Sequence, residues 1–370
     1  MFNKTSILFL GITLFLISMS FSSKPTPSVS PTIRIYPFKN VGEVSNLPDV
    51  SASNIKENLS EYHFFEGKMA DQKPAKGVVP YTLNAPLFSD YAQKLRFVQL
   101  PDGQTVDFNA DSVFQFPIGT KIIKTFLYPN DFKNEQKGRR ILETRVLLRD
   151  DDGAWVAMPY VWNDAQTEAT LEPAGDTKNV TFKDAKGHKQ AFEYVIPNVN
   201  QCRGCHIRGD KMSPIGPSAR QLNGDLDAQN QLVAWKKGGI LRGLPDDITT
   251  VPKYPNYEDK TISIDARARA YLDINCAHCH NLRGPAVTSG LFLDWKTTDS
   301  TAFGFFKTPV AAGRGSGNLK YDIVPQKPSE SILIYRMLST NPGEMMPEVG
   351  RKLVHTEGVE LIREWIKGMK

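Results

Sequence analysis

The sequence predicts an α+β protein: a β-rich, sandwich- or barrel-like domain over residues 38–197, followed by a mainly helical region. Two observations predict this. Between residues 81 and 197 the chain repeats short β-branched or aromatic runs punctuated by Pro, Gly and Asp. After Pro197 the apolar residues fall at helical spacing instead. Composition agrees: of 370 residues, 40% are hydrophobic and 23% charged, values of a folded globular chain and not of a disordered or polytopic membrane protein. A net charge of +5, without a long basic run, gives no reason to expect nucleic acid as a partner.

The first 23 residues read as a signal peptide. Lys4 precedes a 15-residue apolar run from Ile7 to Phe21, which suits the h-region of a secretory signal and is short for a membrane span. An uncleaved N-terminal segment is the alternative, and would give membrane association, anchored to the inner membrane. Either way the expected location is the periplasm or another exported compartment. Residues 24–37, KPTPSVSPTIRIYP, read as an extended linker.

Within the β-rich region, KLRFVQLP (94–101), SVFQFP (112–117), TKIIKTFLY (120–128), RRILETRVLLRD (139–150) and GAWVAMPYVW (153–162) are strand-like. DDDG (150–153) predicts a hairpin turn, and residues 179–197 a second hairpin with Lys186-Gly187 at its tip. Further on, 218–239 has helical periodicity ended by Gly238-Gly239, residues 264–275 predict a helix with Asp265 as N-cap, and 329–338 and 358–369 predict two more. Residues 198–260 thus form a first segment and 261–370 a second.

The chemistry lies in the cysteines. There are four, and all fall in two C-x-x-C-H motifs: Cys202-Arg203-Gly204-Cys205-His206 and Cys276-Ala277-His278-Cys279-His280. This is the attachment signature of c-type haem. Two thiols three residues apart face one porphyrin edge and can each add to a vinyl group, while the following His is carried under the ring to the iron. The expected cofactors are two covalently bound haem c groups, with His206 and His280 as proximal metal ligands. A zinc site built from two C-x-x-C pairs and a pair of local disulfides are the competing readings, and neither explains both histidines.

A second axial ligand for the second haem is expected from PGEMMPEVGRKL (342–353), where Pro347 biases Met346 towards an extended backbone. Met346 is the expected thioether ligand and Met345 the runner-up. For the first haem Met212, Met158, His63 and His355 are open candidates, as is a five-coordinate iron. Arg203, Arg208, Arg283 and Arg314 are candidate partners for haem propionates, and the Pro285 carbonyl is a candidate acceptor for the His280 ring N–H.

The stretches NCAHCHNLRGPAVTSGL, PVAAGRGSG, YDIVPQKPSESILIYRM and MMPEVGRKLVHTEGVELIREWI resemble the C-terminal cytochrome c domain of a family of exported bacterial di-haem c-type cytochromes. QCRGCH with SPIGPSARQLN resembles that family's first haem segment, and YTLNAPLFSDYAQKLRFVQLP and FPIGTKIIKTF its N-terminal β-rich region. The resemblance covers roughly residues 40–370. It implies a cytochrome c-like di-haem region, haem attachment at Cys202, Cys205, Cys276 and Cys279, proximal His206 and His280, and electron transfer to and from other redox proteins. A di-haem peroxidase-like oxidoreductase with one open haem is the alternative, and a binding module served by its haems a third possibility.

Overall fold

The computed structural model describes residues 54–370, so the signal peptide and linker expected over 1–37 lie outside the described residues. Its largest element is a six-stranded antiparallel sheet formed by β1 (Val78–Pro80), β2 (Gln93–Gln99), β3 (Lys121–Pro129), β4 (Arg139–Arg149), β5 (Trp155–Trp162) and β6 (Ala169–Leu171), in that spatial order. The sheet is open, with β1 and β6 at its edges. A two-stranded ribbon of β7 (Asp176–Lys183) and β8 (Lys189–Ile196) packs on it through Val180, Phe182, Tyr194 and Ile196 against Phe126, Tyr128 and Leu142. The expected barrel or sandwich is therefore one open sheet with a ribbon on one face, because the chain leaves the sheet at β6.

Each main strand follows the alternation of its sequence. Phe97, Ile123, Val146, Met158 and Tyr160 face one core with Leu59 and Phe64. Their neighbours along the strands, Val98, Ile122 and Leu147, face the other side, where they meet Ala219, Leu222, Leu232 and Trp235. Between β3 and β4 the register shifts, Phe126 pairing with Glu143 and Leu127 with Ile141, so Leu142 is the extra residue of a bulge. Phe114 and Phe116 are buried, but the strand expected there does not form. Their segment makes only isolated bridges, and the Phe114 amide is taken by the Pro217 carbonyl outside any ladder.

Six helices follow: α1 (Val199–His206), α2 (Ala219–Leu222), α3 (Gln231–Lys237), α4 (Ile264–Asn275), α5 (Ile332–Leu338) and α6 (Thr356–Lys367). The single helix expected over 218–239 is two short ones, split by a two-residue ribbon pairing Asp225–Leu226 with Gln229–Asn230. Asp227 and Ala228 take left-handed backbone there, and the Asn230 side chain restarts the helix by capping Leu232 and Val233. The N-cap of α4 is Ser263, not Asp265; Asp265 instead accepts from the Trp365 indole N–H at 2.9 Å, joining α4 to α6. Both helices, with Leu293, Phe303 and Ile323, build a further core away from the sheet.

The stretch from Asn84 to Tyr91 ties these parts together. Asn84 donates to the carbonyls of Arg220 and Asn223, and Ala85 exchanges bonds with the Gln221 side-chain amide. The Phe88 amide donates to Asn275, and the Asp90 carboxylate accepts from the amides of Lys352 and Leu353, both at 2.7 Å. One short loop thus contacts α2, the end of α4 beside the second motif, and the loop that follows Met346.

Candidate functional site: two cysteine–histidine motifs that meet

The first motif forms the last turn of α1. Asn198 and Gln201 make a reciprocal capping box at its start, which fixes the helix immediately after Pro197 and presents Cys202 inward, 7% exposed. Beyond His206 the chain turns through a two-residue ribbon, Ile207–Arg208 with Lys211–Met212. This returns Ser213 so that its carbonyl lies 2.9 Å from His206 Nδ1.

The second motif begins where α4 ends, with Cys276 as the C-cap. Asn281 staples the motif: its side-chain amide donates to the carbonyls of Ala277 and His278, and its oxygen accepts from the Arg283 amide. Gly284 is required here, since a β-carbon at that position would fall on the Cys279 carbonyl. His280 Nδ1 lies 3.3 Å from the Leu291 carbonyl and 3.4 Å from Ser289 Oγ. The acceptor is therefore Leu291 and not Pro285, because the 3-10 turn Val287–Ser289 brings the chain back later than the sequence suggests.

Both imidazoles share a chemical state. A carbonyl only accepts, so Nδ1 carries the proton in each ring and Nε2 keeps its lone pair. Burial pushes both His206 and His280 down to about 4, so both rings are neutral near pH 7, the form that ligates a metal.

The two motifs touch. Cys205, Cys279 and His278 bring their ligating atoms within 4.8 Å of one another. Hydrogen bonding from Cys279, and then from His278, favours the Cys205 thiolate, and the same contact raises Cys279. All four cysteines are free. Sequence spacing gives no sign of this meeting, which only the tertiary fold makes.

Two clefts flank the meeting point. One, with a cavity volume of about 130 Å³, lies between the sheet and α1 and is lined by Cys202, Cys205 and His206 with Arg96, Lys124 and Arg145. The other, an open cleft with a cavity volume of about 340 Å³, is lined by Cys205, His206 and His278 with Arg208, Asp273 and Arg283. His206 belongs to the walls of both. Of the arginines read from the sequence as propionate partners, Arg208 and Arg283 line the second cleft, Arg203 is exposed, and Arg314 is exposed with its guanidinium towards the Pro342 carbonyl. Arg96, Lys124 and Arg145 escape the sequence reading, although a cation inside each of three strand-like runs is a signal for them.

Met345 is buried, 7% exposed, and Met346 half-buried; the Met346–Pro347 peptide is cis. The Met346 amide donates to the Arg336 carbonyl, and its own carbonyl accepts from Arg351, which also holds the carbonyls of Arg336, Ser339 and Leu353. The loop reaches both motifs. The charge of Arg351 acts on Cys276 and that of Glu348 on Cys279, while Val349 and Gly350 line the first cleft.

The remaining candidates for the first motif are elsewhere or occupied. Met158 packs in the core on the opposite face of the sheet, near the Tyr62 hydroxyl. His63 is exposed. His355 stacks on Phe88 at 4.1 Å and meets the Tyr271 hydroxyl. Met212 sits half-buried in the ribbon after His206. Among the described residues no helix is long and apolar enough to cross a membrane. No family model, curated protein or solved structure matches the chain.

Proposed function

We propose that this protein is an exported di-haem c-type cytochrome that passes single electrons between redox proteins, with haem attached at Cys202 and Cys205 and at Cys276 and Cys279. The observation that carries the reading is the pairing, in each motif, of two free thiols with a half-buried imidazole whose Nδ1 is held by a backbone carbonyl. A bound c-type haem supplies a one-electron iron couple. The residues supply the rest. Ser213 and Leu291 orient the two rings and keep Nε2 free. Arg351 fixes the Met345–Met346 loop, where Met346 is the proposed distal ligand of the second haem; a thioether there favours the reduced iron. Cys205 and Cys279, whose sulfurs lie within 4.8 Å, would set one attachment point of each haem beside the other. The segments 198–260 and 261–370 then form the cytochrome c-like region.

Intact mass with a pyridine haemochrome spectrum tests this on the matured protein. Two haem-sized increments with thioether-type absorption are expected; a colourless protein with the bare polypeptide mass sinks the reading. A second reading rests on the Cys205, His278 and Cys279 atoms within 4.8 Å: a thiolate–imidazole metal site. The two exclude each other, since a sulfur bonded to a vinyl-derived carbon no longer carries the thiolate that such a site needs. Carbon monoxide added to the reduced protein separates carrier from peroxidase-like enzyme, because only an open iron binds it.

A further inference from the structure

Arg96, Lys124 and Arg145 stand abreast on three neighbouring strands. The register pairs Arg96 of β2 with Lys124 of β3, and Lys124 with Arg145 of β4. All three side chains line the cleft that holds Cys202 and His206. Like charges directly opposite one another destabilise a sheet, and a buried cation without a counter-charge is strongly destabilising. The row lies between Val98, Ile122 and Leu147 on one side and Lys94, Phe126 and Glu143 on the other.

The charges within the protein do not balance. Glu143 is fully buried and already engaged, accepting two bonds from Arg145 at 2.6 and 2.8 Å and one from Tyr194 at 2.7 Å. That leaves Arg96 and Lys124. Arg96 is 8% exposed; its Nη1 makes one 3.4 Å contact with the Lys94 carbonyl, and its Nη2 is buried with no partner. The Lys124 ammonium rests on the Phe126 ring, 4.7 Å from its centre. Lys124 can shed its proton, and burial and then Arg96 push it well below the lysine range. Arg96 cannot, since a guanidinium stays charged.

We infer that Arg96 and Lys124 form a carboxylate-binding site in the first cleft, which turns the β-sheet into the anion-holding wall of that cleft. A carboxylate has two possible sources: the propionates of a porphyrin attached at Cys202 and Cys205, or a free organic acid. The first source rests on the function proposed above; the second does not. A carboxylate seated there accepts the unpaired Arg96 N–H and restores the charge on Lys124, and Arg145 remains with Glu143.

The test compares the full-length matured protein with Lys124→Met, Lys124→Arg and Arg96→Gln. Haem number is read first by intact mass, then the haem reduction potentials and the thermal midpoint, with and without sodium acetate. If the carboxylates are the porphyrin's, Lys124→Met keeps both mass increments and lowers one potential by at least tenfold in the one-electron equilibrium, about 59 mV. Lys124→Arg restores it, and acetate changes nothing. If the carboxylate is free, acetate raises the wild-type thermal midpoint and leaves that of Lys124→Met where it was. Unchanged potentials with no acetate response overturn the proposal, whichever way the thermal midpoint moves. Should Lys124→Met not fold, Arg96→Gln and the wild-type acetate titration decide between the same outcomes. Missing mass increments sink the haem reading alone, and the acetate arm still decides the site.

Discussion

The Tyr271 ring occupies the space where a β-carbon on Gly358 would stand. Tyr271 lies on α4, about one turn before Cys276, and Gly358 lies in the first turn of α6. The bare glycine lets α6 close onto α4, and the Trp365–Asp265 bond holds the far end of the same pair. This helix pair carries the second motif.

Gly358→Ala should therefore destabilise the protein by about 1–3 kcal/mol, the usual cost of overfilling a packed contact. Chemical denaturation at matched haem content measures it. An alanine variant as stable as the wild type would show that the two helices separate freely.

Met345 and Met346 should respond in opposite ways. Met346→Ala is expected to open one iron to carbon monoxide with little loss of stability, since Met346 is half-buried. Met345 is buried, so Met345→Ala should cost about 2–5 kcal/mol of core packing and leave carbon monoxide binding as it was. The reverse pattern would move the distal ligand to Met345.

Arg351 gathers four backbone carbonyls around the methionine loop. A lysine has one charged tip and cannot reproduce that fork. Arg351→Lys should lower the thermal midpoint and, in the same samples, increase the fraction of protein that binds carbon monoxide. A drop in stability without new carbon monoxide binding would confine Arg351 to a packing role.

Asp273 gives a pH signature. Burial raises its carboxyl to about 7, although it accepts from the Trp295 amide and the Tyr254 hydroxyl. The unfolded chain releases this proton near the ordinary aspartate value, about 3.9. Between these values the folded state holds a proton that the unfolded state has lost, so stability is greatest below the window and falls as pH rises through about 7. Asp273→Asn should flatten that decline. Urea midpoints measured from about pH 4 to pH 8 check it, and an unaltered slope in the variant would assign the pH dependence elsewhere.

Much of the local structure can be read from the chain. The strands at 94–101, 120–128, 139–150 and 153–162 and the hairpin ending at Ile196 lie within a few residues of their expected places, because side-chain alternation and turn residues act over short range. The same holds for α4, α5 and α6. The misreadings also have local causes. The ribbon that divides 218–239 depends on left-handed backbone at Asp227 and Ala228, a conformation neither residue type announces.

The two C-x-x-C-H motifs, and with them the attachment chemistry they are read to serve, are properties of the sequence alone, since the thiols and the following imidazole need only their spacing. Tertiary structure alone decided that Cys205 and Cys279 meet, that Leu291 and not Pro285 orients His280, and that Arg96, Lys124 and Arg145 line one cleft with Cys202. The reason is physical: covalent spacing fixes what a few consecutive residues can do. Which groups from distant segments share a buried space depends on strand register and helix packing, and these are set by the whole core at once.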